Sequence, residues 1–155
     1  MPQLTRDEAA LWTAWKQASE GVRARVAADI LAATGLSDPD FGVLTRVVEI
    51  GRGALRQSEL GQSLGWHRSR VSHQLTRMEQ RGLITRRALR EGGVEIRITD
   101  MGRARVADAR PIHAAAVREH LLRPLEPAQR KALGVALARL NQDATGADTG
   151  RGAAS

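Results

Sequence analysis

Between Gly65 and Gly82 the sequence sets Ser69, His73, Thr76, Arg77 and Gln80 on one side of a helical period, with Arg70 at the flank, and Val71, Leu75 and Met78 on the other. Hydroxyl, imidazole and guanidinium groups in such a row can hydrogen-bond the edges of nucleic-acid bases. An arginine fork can take both acceptors of a guanine at once. Ser69, Arg70, His73 and Arg77 are therefore candidates for base contacts, Arg70 foremost, with His67, Arg68 and Ser72 on the same surface. A merely solvated face would carry a similar row, so its neighbours must decide.

Those neighbours point the same way. "QSELGQSLG" reads as a short helix with Leu60 and Leu64 one turn apart, ended by Gly65 in a left-handed turn. Two helices joined by a tight glycine turn, the second rich in cations, are the sequence form of a helix-turn-helix. Gln57 and Ser58 at the start of the first helix suit phosphate. After Gly82 the period falls to two: Val94, Ile96 and Ile98 alternate with Glu95 and Arg97, and "EGG" supplies turn residues. This predicts a hairpin wing whose Arg86, Arg87 and Arg90 lie along a phosphate backbone.

Longer helices must carry this unit. Thr5 and Glu8 have capping-box spacing ahead of a helix with Leu11, Trp15, Val22, Val26 and Ile30 on one face. Ser37 caps a second helix bearing Phe41, Leu44, Val47 and Val48, which stops before "GRG". Thr99 caps a long helix that Pro111 should kink and Pro124 should close, and a last helix is expected from Pro127 to about Asn141. "ATGADTGRGAAS" reads as disordered.

The 155 residues fit one domain, and 42% hydrophobic content suits a folded chain. The absence of cysteine excludes disulfides and thiolate ligands. The formal charge of +7 favours an anionic partner; Lys16 and Lys131 are the only lysines, so arginine supplies most of it, as GC-rich coding alone would also ensure. No apolar run can span a bilayer and no secretory leader is visible, so a cytoplasmic protein is expected. "GRGALR" lacks the third glycine of a dinucleotide loop, and no Walker loop, GxSxG or HExxH occurs. His113 and His120 lie roughly 10 Å apart along one helix, too far to share a metal. Neither catalysis, cofactor nor metal is expected.

The order of elements and the run "LRQSELGQSLGWHRSRVSHQLTRMEQRGLITRR...VEIRITDMGR" resemble the MarR family of bacterial transcriptional regulators, from about Thr5 to Asn141. The resemblance implies a mainly α fold with a small β-hairpin wing: a winged helix-turn-helix over residues 37–99, dimerisation helices over 1–36 and 100–143, and a disordered tail over 144–155. It implies a homodimer on double-stranded DNA, here a repressor on a near-palindromic operator, released by a small and commonly anionic aromatic effector. Trp12, Trp15, Phe41, His113 and Arg118 become the effector candidates, although tryptophans at helical spacing are more often core or dimer contacts. Two departures stand out. His67 replaces the aspartate common at the cap of the second helix, and the wing lacks the family's Asp-x-Arg pair, leaving Arg90 as the nearest tip arginine. The competing expectations are a low-specificity architectural DNA binder and a protein-interaction module with a degenerate winged helix.

Overall fold

The structure is a computed structural model that describes residues 3–148. The chain divides after Ala116 into two compact units. In the first, α1 (Arg6–Thr34) and α2 (Asp38–Glu49) begin where the sequence placed their caps. The Thr5 hydroxyl accepts from the Glu8 amide at 3.3 Å and the Glu8 carboxylate from the Thr5 amide at 2.7 Å. Ser37 and Asp40 form the same reciprocal box, at 3.3 and 3.0 Å. β1 (Ala54–Arg56), α3 (Gln57–Leu64), α4 (Arg68–Gln80), β2 (Ile84–Ala88) and β3 (Val94–Ile98) follow, then α5 (Asp100–Val117).

The expected hairpin is part of a three-stranded antiparallel sheet in the order β1-β3-β2. Leu55 lies opposite Ile96 on one side of β3, and Arg86 opposite Ile96 on the other. Three residues are too short for alternation to register, so β1 was invisible to periodicity. Its pairing buries Leu55 with Ile84, Ile96 and Ile98.

Beneath the sheet, Val43, Leu44 and Val47 of α2 meet Leu60 of α3 and the Val71, Leu75 and Met78 row of α4, each with no more than 1% of its surface exposed. Burying such a side chain is worth about 1.5–3 kcal/mol. Ile30 from α1 and Val106 and Ala109 from α5 complete the same cluster. Residues on both sides of 36/37 and of 99/100 thus share one core. α5 passes through Pro111 and starts under Thr99, whose hydroxyl accepts from the Gly102 amide at 3.0 Å and donates to the Gly82 carbonyl at 2.6 Å.

Little else of α1 is covered. Ile30 is its one buried residue, and Leu11, Trp12 and Trp15 are 73%, 57% and 42% exposed. The two tryptophans are thus not core residues of this chain.

The second unit holds a π-helical turn (Arg118–Leu122) and α6 (Pro127–Asp148). Arg130 Nε ties them by donating to the Leu122 and Leu125 carbonyls, both at 2.9 Å. α6 runs to Asp148 where its end was expected near Asn141. The rest of the expected disordered tail, 149–155, lies outside the described residues. Val135 and Leu140 of α6 are 66% and 60% exposed. Among the described residues no helix is long and apolar enough to cross a membrane.

Candidate nucleic-acid interface

Gly65, at φ 64°, turns the chain between α3 and α4, and the Trp66 amide donates to the Gly61 carbonyl at 3.0 Å. This turn fixes the two helices as a pair. Ser69, Arg70, His73, Arg77 and Gln80 are exposed along α4, Ser72 and Thr76 are half-buried, and His67 and Arg68 are exposed at its start. His67 is the cap residue but makes no side-chain capping bond, as its type suggested.

A groove of about 740 Å³ opens between this helix pair and the hairpin. Gln57, Ser58, His67 and Arg68 line it, together with Arg56, Trp66 and Gly93. The starts of α3 and α4, with Arg56 and Arg68 beside them, suit an anion. Arg56 was not anticipated. Its Nη2 donates to Glu91 at 2.7 Å and its Nη1 to the Gly92 carbonyl at 3.4 Å, so it fastens the hairpin tip to the start of α3. The tip itself turns through Gly92 and Gly93, both near φ 90°, where a side chain would be strained.

The hairpin arginines are not alike. Arg86 is drawn inward: the Glu79 carboxylate accepts from its backbone amide, Nε and Nη2 at 2.9, 3.0 and 2.8 Å. These bonds, chiefly that with the Arg86 side chain, hold Glu79 below the ordinary glutamate range. Arg87 and Arg97 share Glu95, at 3.2 and 2.7 Å. Arg90 is exposed and makes no ion pair among the described residues. Of the three arginines expected along the phosphate backbone, Arg86 is thus neutralised by Glu79, Arg87 is half-compensated through the shared Glu95, and Arg90 keeps its full charge. On the helix, Arg70 lies over the Trp66 ring, 4.1 Å from its centroid.

A second groove, of about 450 Å³, lies along α2 and α5. Phe41 and His113 meet there with ring centroids 5.3 Å apart and planes inclined at 37°. Its cations are Arg46 and Arg110, which the sequence had not singled out. Arg110 donates to Glu49 at 3.2 Å, and Arg46 donates to Ser63 and the Gly42 carbonyl. Trp12 and Trp15 do not line this groove, and Arg118 is exposed on the π-helical turn of the second unit. Among the described residues no three histidines or carboxylates gather as metal ligands.

Residues 27–93 match the model of the MarR family. Over 94% of its length the chain superposes on 99% of AbsC, a MarR family transcriptional regulator from Streptomyces coelicolor, with a TM-score of 0.82 and 28% identity. Sco3205, another MarR family transcriptional regulator from that organism, solved in complex with DNA, gives 0.83 and 26% identity over 92% of this chain and 91% of its own. Sco5413 from the same organism gives 0.79 at 23% identity over 91% and 97%, a likeness of fold. No curated protein matches the sequence.

Proposed function

We propose that the chain is a DNA-binding transcriptional regulator of the MarR type, supported by the family-model match over residues 27–93 and the likeness to AbsC and Sco3205, and that it acts as a homodimeric repressor on a near-palindromic operator and is released by a small anionic or aromatic ligand. The observation that carries this reading is α4, whose apolar row is seated in the core while its Ser69, Arg70, His73 and Arg77 stand outward. These four take base edges in the major groove. Gln57, Ser58, His67, Arg68 and Ser72 hold the flanking backbone, with Arg87 and Arg90 along the next groove. Arg86 supports the wing from behind.

Leu11, Trp12 and Trp15, exposed within one turn of one another on α1, and Val135 and Leu140 of α6 in its own unit, support dimerisation, since large exposed apolar side chains set together mark a contact surface. A two-fold dimer reads two half-sites, hence the palindrome. The groove holding Phe41, His113, Arg46 and Arg110 suits an aromatic ring beside a carboxylate. Such a ligand releases DNA only by binding better to a conformation whose two α4 helices miss the half-site spacing.

Selection of fragments from the organism's own genomic DNA at physiological salt tests the reading. An enriched near-palindrome supports it; recovery without a motif points to an architectural binder, and no recovery to a protein-interaction module. A panel of small aromatic carboxylates is then titrated against the bound fragment. If none lowers operator affinity, the ligand-release part fails.

A further inference from the structure

The first turn of α2 holds a carboxylate with no place in DNA contact. Asp40 is 2% exposed and sits opposite the buried side of α4. Its Oδ1 accepts from Gln74 Nε2 at 2.7 Å, and its Oδ2 from Arg81 Nη1 at 2.7 Å and from the Ser37 amide at 3.0 Å. Gln74 is itself 4% exposed, and its Oε1 accepts from Arg77 Nη2 at 2.7 Å. Arg81 extends the network by donating to the Gly35 carbonyl at 3.3 Å.

An amide has one donating end and one accepting end, whereas a carboxylate paired with arginine only accepts and a guanidinium only donates. Asp40 therefore fixes which way Gln74 faces: its NH2 group must point to Asp40 and its carbonyl to Arg77. Reversal would set donor against donor at Arg77 and acceptor against acceptor at Asp40, around a glutamine only 4% exposed. One of Arg77's five N–H groups is thus committed on the protein side, which sets the plane of the fork presented outward.

We propose that Gln74, oriented by buried Asp40, is a positioning residue that sets which base step Arg77 addresses, so that a pair without DNA contact contributes to operator specificity. This rests on the reading of α4 as the helix that enters the groove. A purely structural role for the pair, pinning α2 to α4, is the rival.

The two roles separate in a double-mutant cycle on the genomic fragment that the wild-type protein selects. Gln74→Met keeps the volume and removes both hydrogen bonds, while Asp40 retains Arg81 and Ser37. The expected result is about a tenfold loss of affinity in the wild-type background, no further loss in Arg77→Ala, and relaxed preference at the same base step in both single variants. Uniform weakening on all sequences, additive with Arg77→Ala, or an unchanged base preference would overturn the proposal. Asp40→Asn, which lets the glutamine reverse, should relax that same step, and it replaces Gln74→Met if the latter does not melt cooperatively. If the wild-type protein selects no motif, the regulator reading fails first, and by a different observation.

Discussion

Glu79 of α4 and Arg86 of β2 are joined by three hydrogen bonds, one from the backbone amide and two from the guanidinium, all within 3.0 Å. The wing is thereby anchored to α4.

This anchor has a pH signature. Glu79 titrates below its ordinary value of 4.5 because Arg86 favours the charged form. A depressed folded-state value means that the contribution to stability is present above the unfolded value and lost as pH falls through the folded one. Arg86→Ala should move the Glu79 carboxyl titration up towards 4.5 by NMR, and Glu79→Gln should flatten the acid limb of stability below that pH. An unmoved titration would mean that the pair is not formed in solution.

Arg70 rests on Trp66 at cation–π distance. The stacking restrains the guanidinium that is proposed to read a base, and at an exposed site it is worth about 0.5–1 kcal/mol. Trp66→Phe should keep most operator affinity and Trp66→Ala should lose roughly two- to fivefold, measured by anisotropy of labelled operator. Equal losses in both would assign Trp66 to packing alone.

Arg70 and Arg90 should fail differently. Arg70→Ala is expected to relax one base pair by about 1–3 kcal/mol, while Arg90→Ala should weaken all sequences alike and reduce the salt slope by about one. Binding of a single-base library across a salt series distinguishes them. Loss of preference in Arg90→Ala would move the wing from backbone to base contact.

Sedimentation tests the dimer. Trp12 and Trp15 are surface residues of α1, so changing both to aspartate should leave the monomer folded, by circular dichroism, while abolishing the dimer. A dimer that persists would place the interface elsewhere.

The helix-turn-helix was legible because Val71, Leu75 and Met78 repeat with a local helical period and Gly65 marks the turn. What escaped depends on partners distant in sequence. Gln74 shares the buried side because Asp40, 34 positions earlier, satisfies it. Arg86 looked like a phosphate ligand until Glu79 claimed it, and the groove's cations proved to be Arg46 and Arg110, brought together only by the packing of α2 and α5. Charge counted along the chain assigns no pairs. Likewise the apolar periodicity of α1 was real, but periodicity cannot say whether a face meets its own chain or another copy.

The strand order also governs what the wing does when no DNA is present. β3 is paired on both sides, so β2 is the longer edge strand of the sheet, and the Glu79 carboxylate already takes its Arg86 amide. Arg86 and Arg87 stand on that strand as ion pairs with Glu79 and Glu95, and a second copy pairing edge to edge would have to strip water from both. That cost opposes fibrous self-association, so the carboxylates that hold the hairpin arginines in place also keep the protein dispersed.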